Sequence, residues 1–168
     1  MPQLLAPALI GRYLATQWRR AYGLNISRLD DQLFVGGEFP LEQWPMLHAA
    51  GIRAVLSLQA EREDAFCTPL PARTLCLAVN DFHPPSIAQL EQAVAFLHES
   101  RQRNEPTLIH CHAGVGRAPL TTIAFLMAEG VNTAEAQRRV FQARPIMRLN
   151  RRQRARLVEW ERVVQAKH

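Results

Sequence analysis

Short apolar runs alternate along the chain with longer segments in which apolar residues recur at helical spacing. The short runs predict strands, because a strand buried on both faces of a sheet is apolar almost throughout. Asp30-Asp31 is a turn pair that separates the first two runs. The predicted strands span residues 26–29, 32–35, 52–58, 75–79 and 106–110.

Helices are predicted where apolar residues recur every three or four positions and Gly, Ser or Pro marks an end. In the segment 87–102, for example, Leu90, Val94 and Leu97 form a stripe, and Ser86 is the candidate N-cap. The predicted helices span residues 2–22, 41–50, 87–102, 118–129, 133–143 and 151–166. Because strands alternate with helices, the pattern predicts an α/β fold with a central, mostly parallel sheet flanked by helices.

The first predicted helix, residues 2–22, precedes this alternation. Its apolar residues recur at roughly helical spacing, at Leu5, Leu9, Tyr13 and Trp18. The favoured interpretation is that this stripe packs on the rest of the protein, and the alternative is a helix that lies on a membrane. The predicted organisation is therefore an N-terminal helix, residues 1–24, on a single domain, residues 25–168.

Length and composition fit one globular domain with a sizeable core, since the chain has 168 residues and 48% of them are hydrophobic. No apolar stretch is long enough for a membrane span, and no signal peptide is expected. The three cysteines, Cys67, Cys76 and Cys111, fit neither a disulfide framework nor a paired zinc signature. Free thiols and a cytoplasmic location are expected.

The net charge of +5 favours anionic partners. Five arginines crowd into nine residues near the C-terminus, at Arg148, Arg151, Arg152, Arg154 and Arg156. A solvated helix face is the favoured interpretation, and the alternative is a footprint for an acidic phosphoprotein, a phosphoinositide or a membrane surface. No aromatic residue interleaves with these arginines, so no nucleic-acid partner is expected. A weak contact with an anionic membrane stays open, and a monomer is expected.

The segment between the last predicted strand and its helix has the composition of an anion-binding loop. Gly114 and Gly116 let the backbone curl, and the N-terminus of the following helix favours an anion. Cys111 is the candidate nucleophile, because a helix N-terminus and nearby cations favour the thiolate. The planar fork of Arg117 can hold two phosphate oxygens. The predicted phosphate-binding residues are His112, Ala113, Gly114, Val115, Gly116 and Arg117.

The order His110-Cys111, five residues and Arg117 resembles the signature of protein tyrosine phosphatases, and in particular of their dual-specificity branch. Other segments that resemble this branch are residues 33–37, 51–58 and 108–119, within a likeness over about 25–165. The resemblance implies a protein tyrosine phosphatase-like fold and hydrolysis of phosphate monoesters through a phosphocysteine, with no metal and no cofactor. It also implies that His110 shapes the loop through hydrogen bonds of its ring.

The resemblance further implies a general acid about thirty residues before the cysteine. Asp81 lies 30 residues before Cys111, after a predicted strand and before a predicted helix. When protonated it would give a proton to the leaving oxygen, and when ionised it would activate water. Asp64 is the alternative acid. An acid that precedes the cysteine fits the dual-specificity type and not the low-molecular-weight type.

One position departs from the family pattern. The family usually has Ser or Thr after the loop arginine, where a hydroxyl stabilises the departing thiolate, and this chain has Ala118. Thr121 and Thr122 follow one turn later and cannot be assumed to substitute. Gln153 resembles a glutamine that places the attacking water in some relatives, although a solvated helix residue is the favoured interpretation.

The expected substrates are proteins that carry phosphotyrosine or phosphoserine and phosphothreonine. A phosphoinositide or another phospholipid is the alternative substrate, and a weakly active phosphate-binding module is the alternative function. Sulfur transfer on a rhodanese-like loop is a third interpretation, against which both Arg117 and Asp81 argue.

Overall fold

The computed structural model describes residues 7–167. The helices are α1 (Pro7–Tyr22), α2 (Trp44–Ala49), α3 (Ile87–Gln102), α4 (Arg117–Ala128), α5 (Thr133–Ala143) and α6 (Arg151–Gln165), with a 3-10 helix at Leu41–Gln43. The strands are β1 (Ile26–Arg28), β2 (Leu33–Gly36), β3 (Ala54–Gln59), β4 (Arg73–Val79) and β5 (Thr107–His110). The predicted bounds of α3 and α5 agree with the structure, and the predicted helix 41–50 is divided into the 3-10 helix and α2. The other predicted elements are present with ends shifted by one or a few residues, and residues 2–6 of the first predicted helix lie outside the described residues.

The five strands form one sheet in the order β1-β2-β5-β3-β4. β2, β5, β3 and β4 run parallel, and β1 pairs antiparallel with β2. This arrangement confirms the predicted α/β fold with a mostly parallel sheet. The carboxyl ends of the four parallel strands lie at one edge, so the chain segments that follow them converge there.

Helices cover both faces of the sheet. Leu108 in β5 packs with Trp44 of α2 on one face, whereas its neighbour Ile109 joins the cluster around Phe125 of α4 on the other. Successive strand residues point to opposite faces, which explains this alternation. α4 is buried from Arg117 to Met127 beneath α3, α5 and α6. The helix that follows the predicted anion-binding loop is therefore held in place by the sheet and by three neighbouring helices.

α1 rests on β1 and α5, and its packing differs from the prediction. Thr16 is its one buried residue, whereas Tyr13 and Trp18 are exposed. The prediction that these two residues belong to a stripe packed on the protein is therefore wrong. Among residues 7–167, no helix combines the length and the apolar character needed to cross a bilayer.

Candidate active site

Four consecutive carbonyl groups of the loop 111–116 accept hydrogen bonds from donors outside the loop. Arg144 donates to two of them, Ala113 O at 3.3 Å and Gly114 O. Backbone amides donate to the other two over 2.9 Å, Glu38 N–H to His112 O and Arg148 N–H to Val115 O. These contacts fix the direction of each peptide plane in the loop.

The amide groups of the same loop remain available. In a planar trans peptide the N–H points away from the C=O, so the N–H groups of residues 113–116 point away from the outer donors. Within the described chain, the N–H groups of residues 112–116 donate to no protein acceptor. A curved run of free amides at a helix N-terminus is a binding site for an anion.

Two loop positions have no room for a side chain. Gly114 has φ +67°, and a Cβ there would collide with the backbone of Gly36 and with Arg144. At Gly116, a Cβ would lie 2.7 Å from Nε2 of Gln153. The two glycines therefore allow the loop to curl against its outer supports.

Cys111 and Arg117 stand at the two ends of the loop, and both are buried. Nη1 of Arg117 donates to Val79 O at 2.6 Å and to Oε2 of Glu61 at 2.9 Å. Nη2 lies 2.8 Å from Oε1 of Glu61 and 3.1 Å from Oδ1 of Asp81. Neither Nη2 nor Nε of Arg117 has a partner with hydrogen-bond geometry among the described residues. Two guanidinium donors are thus available to a ligand.

Electrostatics keep Arg117 and Glu61 charged. Burial opposes the charge of Arg117, but the hydrogen bond to Glu61 and the charges of Cys111 and Asp81 together raise its pKa. The same hydrogen bond lowers the pKa of Glu61. The arginine therefore stays cationic in the absence of a ligand, with carboxylates that an incoming anion would have to replace.

Asp81 lies on a loop after β4 that α6 holds in place. Its Oδ1 accepts from Phe82 N–H at 2.9 Å, and Phe82 has φ 61°. The carbonyl of Phe82 accepts from Nδ2 of Asn150 at 2.8 Å. Arg152 Nη1 lies 3.3 Å from His83 Nε2, and Arg156 donates to Pro85 O. The interpretation of the arginine cluster as a solvated face is therefore wrong for Arg156, which is half-buried.

The two candidate acids occupy different environments. Oδ2 of Asp64 lies 2.7 Å from Nε2 of the buried His110, whereas Asp81 contacts Arg117. Asp64 thus positions the residue before the nucleophile. The exposed His112 lies on the rim, with Nδ1 3.0 Å from Oε1 of Glu38.

The family departure at Ala118 has no substitute among the nearby hydroxyls. Thr121 Oγ1 donates to Arg117 O at 2.9 Å, and Thr122 Oγ1 donates to Ala118 O at 2.8 Å. Each hydroxyl has one proton, and both protons are used within α4. Gln153 is buried, so its interpretation as a solvated residue is wrong. It lies against Gly116 and forms a capping box with Asn150 at the start of α6.

Three contributors to the site were missed in the sequence. Glu61 follows β3 as Asp81 follows β4, so its place at the carboxyl edge of the sheet was the available signal. Arg144 and its partner Asn25 carried no such signal, because they are 119 residues apart. Arg144 donates to Asn25 Oδ1 at 2.6 Å and to Ser27 Oγ at 3.3 Å, and burial lowers its pKa to about 10.

The donor set of the site suits an anion. Among residues 7–167, no three His, Cys, Asp or Glu side chains are grouped so that they could hold a metal ion. Glu61 and Asp81, which face the loop, contact Arg117. The groups left for a ligand are amide and guanidinium N–H donors, which bind phosphate oxygens.

Comparison with known proteins agrees with this chemistry. Residues 33–163 match the family model described as "Dual specificity phosphatase, catalytic domain". Tyrosine-protein phosphatase vhp-1 of Caenorhabditis elegans is 26% identical over 148 residues, which cover 87% of this chain and 22% of vhp-1. Human dual specificity protein phosphatase 12 is 33% identical over 98 residues, which cover 56% of this chain and 29% of that protein. The chain thus spans less than a third of either relative.

Solved structures share the fold. The crystal structure of PTPMT1 in complex with PI(5)P has a TM-score of 0.75 with this chain at 19% identity. The match covers 85% of this chain and 98% of that one. At this identity the likeness extends to the arrangement of strands and helices.

Proposed function

This chain belongs to the family of dual specificity phosphatase catalytic domains, and we propose that it hydrolyses phosphate monoesters through a phosphocysteine on Cys111. The observation that carries the proposal is the loop 111–116, whose carbonyls are held from outside while its amides are free. Residues 25–168 form the catalytic domain in this proposal, and residues 1–24 add a helix that packs on it.

In the first step, the phosphate binds the loop amides and Arg117. The phosphate competes with Asp81 for Nη2 of Arg117, so Asp81 is released towards the leaving oxygen. The Cys111 thiolate then attacks phosphorus while the bond to the ester oxygen breaks, and protonated Asp81 gives its proton to that oxygen. Arg117 stabilises the charge that develops on the transferred group.

In the second step, water attacks the phosphocysteine. Asp81, now ionised, accepts a proton from the water, and the S–P bond breaks to release phosphate and the thiolate. No hydroxyl at position 118 stabilises that thiolate. We therefore expect hydrolysis of the phosphocysteine to be slower than its formation. Gln153, buried against Gly116, is the proposed residue that places the water.

The proposed substrates are phosphoproteins that carry phosphotyrosine, phosphoserine or phosphothreonine. The named relatives vhp-1 and dual specificity protein phosphatase 12 support this choice. Phospholipid is a second candidate, which the PI(5)P complex of a structural neighbour and the net charge of +5 favour. A monomer in the cytoplasm is part of the proposal, and three free cysteines in the structure support the reducing location.

A side-by-side assay tests the proposal. Purified protein is given an activated aryl phosphate, a panel of phosphopeptides, phosphoinositides and phosphatidylglycerol phosphate, with and without a chelator. We expect turnover of the aryl phosphate that the chelator leaves intact and that vanadate inhibits. Absence of turnover on every substrate, with phosphate still bound by the loop, would instead favour the phosphate-binding module.

A further inference from the structure

α1 presents its apolar side to solvent. Ile10, Leu14, Trp18 and Tyr22 are 47%, 60%, 68% and 77% exposed, and they recur every four residues. Residues at this spacing lie along one side of a helix, here called the outer stripe. Thr16, the buried residue, lies on the opposite side at about 100° per residue. A helix that only packed on the domain would have the reverse arrangement.

The charge of α1 is entirely positive. The helix contains Arg12, Arg19 and Arg20 and no acidic residue. None of these arginines lies within ion-pair distance of a carboxylate in residues 7–167, whereas Arg138 and Arg139 on the neighbouring α5 pair with Glu135. The arginines thus remain available to an anionic partner. At about 100° per residue they lie on the side of the helix that carries Thr16, away from the centre of the outer stripe.

These features select one class of partner. Trp and Tyr beside aliphatic residues on one side of the helix, with arginines on the other side, match a helix that lies in the interface of a bilayer. The apolar stripe enters the acyl boundary while long arginine side chains reach headgroup phosphates. A second copy of this chain would bring together two helices that carry only positive charge, which like-charge repulsion opposes.

α1 also lies beside the candidate active site. A cavity of about 400 Å³ is lined by Arg20 at the C-terminal end of the helix and by His112 and Ala113 of the anion-binding loop. The family match begins at residue 33, so α1 precedes the shared catalytic domain. A surface that holds α1 would therefore lie near the anion-binding loop.

We propose that the outer stripe of α1 docks the protein on an anionic phospholipid bilayer, with its arginines at the lipid phosphates. Docking is separate from the proposed catalysis. It would bring the loop 111–116 close to the membrane whether the substrate is a lipid or a membrane-bound phosphoprotein.

Trp18 provides a direct readout, because Trp44 and Trp160 are buried and Trp18 is exposed. The full chain is mixed with vesicles of phosphatidylcholine alone or of equal parts phosphatidylcholine and phosphatidylglycerol. We expect co-sedimentation and a blue shift of tryptophan emission with the anionic vesicles only. Salt should weaken the binding, since it screens the arginine contacts.

Variants separate the stripe from general basicity. Leu14→Asp should weaken binding about tenfold or more, because it removes a leucine that the bilayer would bury. Arg19→Gln with Arg20→Gln should weaken it about twenty-five-fold, at roughly a fivefold loss for each basic residue near the surface. The matched controls on α6 are Val158→Asp, also at an exposed apolar position, and Arg151→Gln with Arg154→Gln. The controls should bind as the unmodified protein does.

Three results would overturn the proposal. One is the absence of binding to anionic vesicles in both assays. Another is binding that survives the α1 variants and is lost in the α6 controls. The third is a concentration-dependent dimer that Leu14→Asp dissociates, which would make a second copy the partner. Sedimentation needs no turnover, so failure of the catalytic proposal leaves this test intact, and circular dichroism verifies that each variant is folded.

Discussion

Arg117 and Arg144 are both fully buried, Arg117 directly after the anion-binding loop and Arg144 in contact with the loop carbonyls, yet their contacts differ in kind. Arg144 donates to fixed carbonyls and to Asn25, which holds the loop in shape. Arg117 faces the carboxylates of Glu61 and Asp81 and keeps two donors without a hydrogen-bond partner among the described residues. All the described contacts of Arg144 stabilise the loop, whereas Arg117 can exchange its carboxylate contacts for contacts with a ligand.

This difference separates two groups of residues. The inner group is Cys111, Arg117 and Asp81, which we expect to act on the substrate. The outer group is Arg144, Asn25 and the amides of Glu38 and Arg148, which set the directions of the peptide planes. Changes in the inner group should therefore lower activity at nearly constant stability, and changes in the outer group should first lower stability.

The largest effect is expected within the inner group. Asp81→Asn should lower the rate on an alkyl phosphate by about two to four orders of magnitude, the range for a positioned general acid. The loss should be smaller on an activated aryl phosphate, whose leaving group needs little protonation. Steady-state kinetics on both substrates measure this, with Asp64→Asn as the control that removes the partner of His110. Equal losses on both substrates would make Asp81 structural.

Arg117→Lys should have the second largest effect on activity. We expect a loss of about a hundredfold to a thousandfold in kcat, the range for removal of a transition-state donor, because an ammonium cannot reproduce the planar fork. The thermal midpoint should change little, since a lysine still faces Glu61. Kinetics and thermal unfolding, measured on the same variant, show whether Arg117 contributes to activity or to stability. A variant that unfolds before it loses activity would place Arg117 in the outer group.

Arg144→Met tests the outer group. The change leaves several buried acceptors without a donor, so the free energy of unfolding should fall by about 2–3 kcal/mol. Denaturant titration measures it. The control is Arg139→Met, on the surface of α5, the helix that Arg144 follows, which should change stability by less than about 1 kcal/mol. Unchanged stability with strongly reduced kcat would remove the distinction between the two arginines.

Ala118→Ser has the smallest expected effect and adds a donor to the inner group. A hydroxyl next to Arg117 should speed phosphocysteine breakdown by about tenfold to a hundredfold, which corresponds to roughly 1.5–3 kcal/mol from one donor to an anion. Rapid-quench kinetics report the lifetime of the intermediate, and kcat rises only where a burst shows that this step limits turnover. An unchanged lifetime would mean that another donor already acts there.

The sequence predicted the inner group better than the outer one, for a physical reason. Cys111 and Arg117 are six residues apart in one segment, and Asp81 follows a strand that ends at the same edge of the sheet, so local pattern and topology suffice to place them. Arg144 meets Asn25 only because α5 packs across α4 and brings distant segments together. Periodicity within one segment carries no information about such a contact.

Local sequence pattern also does not determine which side of a helix is exposed. The helical period of α1 was visible in the sequence, but which side faces the domain was not, and Trp18 proved to be exposed. Gln153 shows the converse, since a glutamine among arginines suggests solvent and the packing of α6 on Gly116 buries it. Periodicity defines a stripe, and only the tertiary contacts decide whether it is inside.

In the proposed mechanism Cys111 carries the phosphoryl group during turnover, and mass spectrometry can detect that group. Protein is quenched in acid while it turns over an aryl phosphate, and its peptides are mapped. We expect one phosphoryl group on Cys111, more abundant in Asp81→Asn and absent from Cys111→Ser, which should still bind phosphate without turnover. A phosphoryl group on another residue, or near-normal turnover by Cys111→Ser, would contradict it.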